Sequence, residues 1–165
     1  MKLLFENWRQ YITEQKELSV VTFDFDSTLA LSHWDGEEDN WVHDGPNFPM
    51  MKKIKKYIND PNIKVYIITS RHEKFEPESF KDPNQSSIKE FLKKHDLKVD
   101  GIYFTNGKLK IEKLLELDSS IHHDDDPEEI RAAKENDIIT VVSDPYGDYS
   151  ELEASMISQE KTLNK

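Results

Sequence analysis

Five short runs rich in β-branched and aromatic residues recur along the chain, and stretches with helical periodicity lie between them. A short apolar run bounded by polar residues is typical of a strand that is buried on both faces of a sheet. Strands that alternate with helices are typical of a parallel sheet covered on both sides. The sequence therefore predicts an α/β fold, a three-layer sandwich around a five-stranded, mostly parallel, Rossmann-like sheet. The predicted strands are 19–25, 65–68, 101–104, 120–123 and 138–142.

Proline and serine residues indicate where the intervening helices begin and end. Pro49 is placed to open a helix, and Asp60 is placed to end it because a proline follows, and the residue before a proline disfavours helical dihedral angles. Ser86 is a candidate N-cap for a second helix, since its hydroxyl can accept from the first backbone N–H groups. Two further helices are predicted over 108–117 and 127–136.

Three segments fall outside the predicted sandwich, which we expect to span residues 19–145. Residues 1–18 carry an apolar stripe at helical spacing and predict an amphipathic helix, which either packs on the domain or binds a partner. Residues 30–48 show no sustained period and predict a loop or a small cap. Residues 146–165 predict a polar tail, with which one weak helix and a frayed end are equally compatible.

The chain carries 22 basic and 33 acidic side chains, a formal charge of −11. Such a charge repels a phosphate backbone, so we expect no broad nucleic-acid-binding surface, although one local cationic site can hold a single phosphate. The absence of cysteine excludes disulfides and thiolate ligands. No apolar run approaches the ~20 residues of a membrane span or the core of a signal peptide. The sequence predicts a cytoplasmic protein with no membrane partner and does not indicate an oligomeric state.

Two acidic side chains close the first predicted strand. Asp24 and Asp26 are two positions apart, and residues at i and i+2 of a strand point to the same side. In open α/β sheets, ligands bind outside the carboxyl ends of the strands. We therefore expect both carboxylates to face one crevice, although an isolated Asp-x-Asp is also typical of a solvated turn.

Hydroxyl and basic side chains follow the next two strands. Thr69, Ser70 and Arg71 close the second strand, where a hydroxyl can either bind a phosphate oxygen or cap the strand. Three lysines lie near the start of the helix after the third strand, where the helix dipole disfavours a cation, so their presence indicates an anionic partner. These lysines are Lys108, Lys110 and Lys113.

Three consecutive carboxylates follow the fourth strand. Asp126 is the expected cap of the helix that a proline opens, which leaves Asp124 and Asp125 as a pair that a cation can screen. A donor set made of oxygens selects a hard cation, and we expect Mg²⁺. His122 and His123 precede these acids and keep zinc or manganese as an alternative. It is a lesser alternative, because neighbouring strand residues point to opposite faces and cannot both face one ion.

Taken in order, four of these segments resemble the motifs of the haloacid dehalogenase (HAD) superfamily of phosphohydrolases. DFDSTL is similar to the first motif, Thr69 in VYIITSR to the second, a lysine in GKLKIEKL to the third, and HHDDDPEEI to the acidic fourth. The match extends over residues 19–142. Each motif is short, but four in sequence, each closing a strand or opening a helix, are a specific signal.

The resemblance implies a role for each acid. Asp24 would attack phosphorus and form an aspartyl-phosphate, and Asp26 would protonate the leaving alcohol and then deprotonate water. Mg²⁺ would be held by Asp24, by the pair Asp124 and Asp125, and by the backbone carbonyl of Asp26. Superfamily dehalogenases lack the acid at the position of Asp26, so the resemblance favours a phosphatase.

The resemblance also implies which residues bind the phosphoryl oxygens. Thr69 and one lysine would stabilise charge that develops in the transition state, and the spacing to the following leucines favours Lys110. Ser70 and Arg71 would contact the substrate. The other candidates for the motif lysine are Lys108 and Lys113.

The interval between the first two motifs holds one predicted helix and is too short for the large caps of many relatives. The open site that this implies suits a bulky substrate, and the chain resembles small-cap members such as the phosphatase domain of polynucleotide kinases. The resemblance implies a phosphomonoester substrate such as a nucleic-acid 3′ end or a nucleotide. Trp34 and Trp41 are candidates to stack on a base, although the favoured role for at least one of them is to anchor the loop by burial. A nucleoside 5′-monophosphatase and a phosphoprotein phosphatase are the alternatives.

A receiver-like regulatory domain, which accepts a phosphoryl group without substrate turnover, is the alternative outside the enzymes. Receivers also gather Asp, Thr and Lys at strand ends around Mg²⁺, but they place the acid pair on the first strand and the phosphorylated Asp on the third. Here the Asp-x-Asp comes first and the acid pair fourth. The order of the residues therefore favours the HAD resemblance.

Overall fold

The structure is a computed structural model that describes residues 19–37, 39–76 and 87–163. The helix predicted for residues 1–18 and the predicted cap Ser86 lie outside these residues. The strands are β1 Ser19–Phe23, β2 Ala30–Asp35, β3 Asn40–Pro46, β4 Ile63–Thr69, β5 Gly101–Phe104, β6 Ser119–Asp124 and β7 Ile139–Val142. The helices are α1 Phe48–Ile58, α2 Ile88–Lys94, α3 Ile111–Glu116, α4 Pro127–Glu135 and α5 Tyr149–Leu163, with a 3₁₀ turn at Glu73–Phe75.

Five of the strands form one sheet in the order β5-β4-β1-β6-β7, and every pairing in it is parallel. The chain moves outward from β1 through β4 to β5 and then returns to the other side of β1 for β6 and β7. The winding therefore reverses beside β1, and the carboxyl ends of β1, β4 and β6 meet at one edge. This arrangement confirms the predicted five-stranded α/β sandwich.

Two apolar cores cover the two faces of the sheet. Adjacent Ile67 and Ile68 of β4 belong to different cores, because neighbouring residues of a strand point to opposite faces. The larger core packs Ile67 with residues of α1 and α2. The smaller core packs Ile68 with Leu114 of α3 and Ala133 of α4. Apolar burial of this kind, worth roughly 25 cal/mol per Å² of area removed from water, holds the sheet edge in place.

The segment predicted as a loop or a small cap is an antiparallel hairpin. β2 and β3 pair from Ala30 opposite Pro46 to Asp35 opposite Asn40, with a bulge after Leu31. The Trp34 and Trp41 rings meet edge to face across the strands, with centroids 5.7 Å apart and planes at 75°. Aromatic pairs of this kind stabilise antiparallel strands. The sequence did not indicate these two strands, because they are rich in polar residues and lack a clean alternation.

The end of the chain forms a helix, which is one of the two alternatives that the sequence left open. This helix, α5, extends over Tyr149–Leu163. Arg131 of α4 forms an ion pair with Glu160 of α5, which joins the two helices. Leu152 and Ile157 of α5 remain exposed. The helix therefore has only a weak apolar face, which explains why the sequence did not distinguish a helix from a frayed end.

Two boundaries near the site differ from the prediction. β1 ends at Phe23, because the Phe25 carbonyl accepts from the N–H groups of Leu29 and Ala30 and starts a tight turn. α2 is capped by Ser87, whose hydroxyl accepts from the Glu90 N–H. Among the described residues, no helix is both long and apolar enough to cross a membrane.

Candidate active site

Asp24 and Asp26 lie where β1 runs into the hairpin. The Asp24 N–H donates to the His123 carbonyl at 2.8 Å, so the β1–β6 pairing continues for one residue and fixes the backbone there. The Asp24 side chain is buried. Both acids line one cleft of about 610 Å³ at the sheet edge, as expected for residues two apart at a strand end.

Lys110 joins two carboxylates that are distant in sequence. Its Nζ donates to Asp24 Oδ1 at 2.8 Å and to Asp124 Oδ2 at 2.6 Å, and all three side chains are buried. Lys113 pairs with Glu116 on the surface, and Lys108 lines the cleft. The structure thus brings Lys110, of the three candidate lysines, to the acids.

His122 lies between Asp124 and Thr22 and contacts both through its ring nitrogens. Its Nε2 lies 2.9 Å from Asp124 Oδ2, and its Nδ1 lies 2.9 Å from the Thr22 hydroxyl. The His123 ring points to the other face and stacks on Phe23 at 3.9 Å. The two histidines therefore do not face one ion, and His122 orients a carboxylate.

Burial and neighbouring charges shift the pKa values of Asp24 and Asp124 in opposite directions. Burial raises the pKa of Asp24 well above its ordinary value, Asp124 and Asp125 add to the rise, and Lys110 opposes it. Burial would also raise the pKa of Asp124, but Lys110 and the hydrogen bond from His122 outweigh it and hold that pKa well below the ordinary value. Lys110 stays charged, because Asp124 and Asp24 outweigh the effect of burial and raise its pKa.

Three carboxylates at this edge form a group that can hold a metal ion. Asp24, Asp124 and Asp125 each offer one oxygen, and these atoms lie within 4.8 Å of one another. Burial, followed by the charge of Asp124, raises the pKa of Asp125 to about 7. Once all three acids are ionised, their negative charge exceeds the positive charge of the single Lys110 ammonium, and an all-oxygen donor set fits a hard cation that offsets it.

Asp26 is not one of the three clustered carboxylates and contacts different side chains. Arg71 binds it with two parallel hydrogen bonds, Nε to Oδ2 at 2.8 Å and Nη2 to Oδ1 at 2.7 Å, a geometry that fixes a carboxylate firmly. The Ser32 hydroxyl of β2 donates to Oδ1 as well. Arg71 also reaches Glu76 at 3.3 Å. Its guanidinium thus orients Asp26, and its predicted contact with substrate stays a prediction.

The residues that close β4 occupy two environments. Thr69 is fully buried, and its hydroxyl accepts from the Arg71 N–H at 3.2 Å. Ser70 lines the cleft together with Asp24 and Lys110. The predicted contacts of Thr69 and Ser70 with a phosphate stay predictions.

Glu129 was not identified from the sequence. It is buried in α4 and accepts from the Lys110 backbone N–H at 3.0 Å, so it holds the residue that carries the ammonium. Burial raises its pKa to about 7. Its position beside Ile130 and Ala133, on the helix face that packs inward, is the sequence signal that would have revealed it.

Asp124→Asn and Asp24→Asn are expected to change stability in opposite directions when no divalent cation is present. An acid whose folded pKa is lowered adds stability above its ordinary pKa, so neutralising Asp124 should cost about 1–3 kcal/mol. An acid whose folded pKa is raised removes stability at neutral pH, so Asp24→Asn should leave the urea midpoint unchanged or higher. Urea unfolding at pH 7 with a chelator measures both, and a lower midpoint for both variants would contradict this charge distribution.

Searches against known proteins give similarity only at the level of structure. No family model matches the chain, and no curated protein matches it. Two chains from structures of the Pnkp1/Rnl/Hen1 complex, one described as an RNA repair complex, are similar with a TM-score of 0.53 each and with 20% and 18% identity. Both matches cover 78% of this chain and 43% and 46% of those chains, so the chain spans less than half of their length.

A third similar structure is the cobalt-bound deoxy-D-mannose-octulosonate 8-phosphate phosphatase (YrbI) of Haemophilus influenzae, with 15% identity over 87% of this chain and 89% of that chain. Its TM-score of 0.44 is too low to add to the fold assignment. The first two similarities, together with the parallel sheet order, show that the chain has the HAD-like fold.

Proposed function

We propose that this protein hydrolyses phosphomonoesters through an aspartyl-phosphate on Asp24, with Mg²⁺ as cofactor. The observation that carries the proposal is the buried contact of Lys110 with both Asp24 and Asp124 at the edge of the cleft. This contact joins the first, third and fourth of the motif segments in one place. Asp26 lies two residues beyond Asp24, on the same cleft.

Asp24 acts as the nucleophile in this proposal. One of its carboxylate oxygens forms a bond to phosphorus while the bond from phosphorus to the ester oxygen breaks, which divides one hard displacement into two easier ones. The Lys110 ammonium, 2.8 Å from Asp24 Oδ1, fixes the orientation of the carboxylate and can stabilise charge on the phosphoryl oxygens. Thr69 and Ser70 supply hydroxyl donors at the end of β4.

Asp26 acts as the general acid and base. A carboxylate has about four lone-pair sites, and Arg71 and Ser32 occupy three of those on Asp26. The remaining site, on Oδ2, is left to carry the proton that passes to the leaving alcohol and is later taken from water. Arg71 and Ser32 are therefore positioning residues that hold Asp26 at one angle to the cleft.

Asp24, Asp124 and Asp125 are the side chains that would hold the cation, with the Asp26 carbonyl as a further oxygen ligand. A bound Mg²⁺ supplies positive charge that favours ionised carboxylates and offsets their repulsion of a phosphate. Glu129 keeps Lys110 in place beside this group.

Addition of MgCl₂ is expected to raise the thermal unfolding midpoint of the protein, because the cation binds a carboxylate cluster that exists only in the folded chain. At a hundredfold excess over Kd, the stabilisation is about 2.7 kcal/mol, or roughly 5–10 °C for a chain of this size. Asp125→Asn should reduce the shift, and Asp44→Asn, on the exposed part of the hairpin, should retain it. An unchanged midpoint in wild-type protein would exclude the cation site.

The substrates that we infer are a nucleic-acid 3′ end or a nucleotide. The hairpin leaves the cleft open to a large substrate, and the Pnkp1/Rnl/Hen1 chain that shares the fold belongs to an RNA repair complex. A nucleoside 5′-monophosphate is the second candidate, since the same cleft can receive a phosphate at either end of a nucleoside.

A substrate panel tests the proposed function. Phosphate release is measured with Mg²⁺ or with chelator on a 3′-phosphorylated oligonucleotide, a nucleoside 5′-monophosphate, a phosphoserine peptide and p-nitrophenyl phosphate. We expect release that requires Mg²⁺, fastest on one of the two nucleotide substrates. Fastest release from the peptide would indicate a phosphoprotein phosphatase. Stoichiometric labelling by acetyl phosphate without turnover of any substrate would indicate a receiver-like domain and would refute the enzyme proposal.

A further inference from the structure

A second cavity adjoins the cleft and has no part in the proposed mechanism. It measures about 240 Å³ and shares Trp41 and Ser70 with the larger cleft, so the two are contiguous. We call it the aromatic pocket. Its lining residues are Trp34, Trp41, Ser70, Arg71, His72 and Phe75.

The aromatic rings of this pocket come from two separate segments and remain accessible. Trp34 lies in β2 of the hairpin, and Phe75 lies in the 3₁₀ turn after β4, with their centroids 6.4 Å apart. Trp34 is 41% exposed and Phe75 is 48% exposed in the described structure. The exposed parts of these rings are surfaces on which a planar group can stack.

Two cationic side chains lie at or beside the aromatic pocket. The Lys74 ammonium lies 4.6 Å from the centroid of Phe75, which places a cation at the rim in a chain whose formal charge is −11. The Arg71 guanidinium covers one side of Trp41 at 4.5 Å and binds Asp26. The wall of the pocket therefore leads directly to the proposed general acid.

We propose that the aromatic pocket binds the nucleobase of a substrate whose phosphate lies beside Asp24, an inference that rests on the proposed function. Aromatic side chains accept every base through its π-face. A sugar separates base from phosphate in a nucleotide, so the two groups need two adjacent cavities, and these two share Trp41 and Ser70. The ring of phosphotyrosine is bonded directly to its phosphate and would remain in the larger cleft. The arrangement thus favours a nucleotide over a phosphopeptide.

Matched substrates with and without a base test this inference on the full chain. Thymidine 3′-monophosphate is compared with its abasic counterpart, 1,2-dideoxyribose 3-phosphate, and kcat/KM is measured for each. We expect wild-type protein to prefer the nucleotide by about tenfold or more, the range expected for stacking of one base. Trp34→Ala and Phe75→Ala should bring the ratio close to one. Phe75 lies outside the hairpin that carries Ser32, so Phe75→Ala should also leave kcat/KM on the abasic substrate within about twofold of wild type. Trp34→Phe should retain most of the preference, because a ring remains.

Phe48→Ala is the matched control, since Phe48 is 75% exposed and lines neither cavity. It should keep the full ratio. The same comparison with thymidine 5′-monophosphate and its abasic counterpart shows at which end of the nucleoside the phosphate is removed.

The possible failures are distinguishable. If wild-type protein hydrolyses the nucleotide and the abasic substrate equally well, or if Phe75→Ala slows both equally, the aromatic pocket does not bind the base. If Phe75→Ala slows hydrolysis of phosphotyrosine and not of the nucleotide, the pocket serves a phosphopeptide and our inference is wrong. If no substrate of the panel is hydrolysed, the proposed function fails, and calorimetry with thymidine still tests the pocket, where binding that Phe75→Ala weakens would support it and no binding would overturn it.

Discussion

Asp24→Asn is expected to lower Mg²⁺-dependent phosphate release at least about 10³-fold, because an amide cannot form the acyl phosphate on which both chemical steps depend. The protein should nevertheless stay folded. Asp24 is buried with a raised pKa, so a neutral side chain of the same shape suits its surroundings, and Lys110 retains its contact with Asp124. Loss of activity with an unchanged unfolding midpoint separates a chemical role from a structural one.

The measurement is phosphate release from the best substrate of the panel, together with trapping of the covalent intermediate. Wild-type protein quenched in acid during turnover should carry phosphate on Asp24, and the variant should carry none. Asp44→Asn is the matched control, since it makes the same chemical change on an exposed residue that does not line the cleft. Wild-type turnover by Asp24→Asn would show that Asp24 is not the nucleophile.

Asp26→Ala is expected to slow hydrolysis of an alkyl phosphate by about 10²- to 10⁴-fold, the usual contribution of a general acid or base. The loss in kcat/KM should be smaller for p-nitrophenyl phosphate, because its leaving group needs little protonation. We choose kcat/KM because it reports the steps up to formation of the aspartyl-phosphate. The base role of Asp26 in the later attack by water therefore does not obscure the comparison.

Arg71 provides a check on this interpretation. Its guanidinium orients Asp26 through two hydrogen bonds, so Arg71→Lys should reproduce part of the loss on the alkyl phosphate while the activated ester is again affected less. Equal losses of kcat/KM on the two substrates in Asp26→Ala would contradict the acid role. Equal losses in Arg71→Lys would indicate that Arg71 contacts the substrate phosphate.

The sheet and its acidic edge could be predicted from the sequence because they depend on local patterns. Short apolar runs fall at regular intervals between helical stretches, and acids follow the first and fourth of them. A strand has a period of two, so the common side of Asp24 and Asp26 follows from their numbers alone. The parallel winding then brings Asp124 to the same edge, as general rules for such sheets require.

Other features could not be predicted, because they depend on contacts between residues far apart in the chain. Three lysines shared one segment, and the burial of Lys110 against Asp24 and Asp124 singles it out. Arginine commonly binds phosphate, so the sequence suggested that Arg71 contacts the substrate. Its guanidinium forms two hydrogen bonds with Asp26. Glu129 lies within the fourth motif segment, but nothing in that pattern distinguishes it from Glu128.

The hairpin shows most clearly where local patterns stop being sufficient. Its two strands are stabilised by the pairing of Trp34 with Trp41 and by the contact of Ser32 with Asp26, and neither can be inferred from spacing. The same hairpin supplies one wall of the aromatic pocket, whose other wall comes from the turn at Glu73–Phe75. The parallel sheet and the acids of its edge therefore follow from local patterns, whereas the strand order, the contact that singles out Lys110, the orientation of Asp26 and the pocket beside it depend on which distant residues pack together.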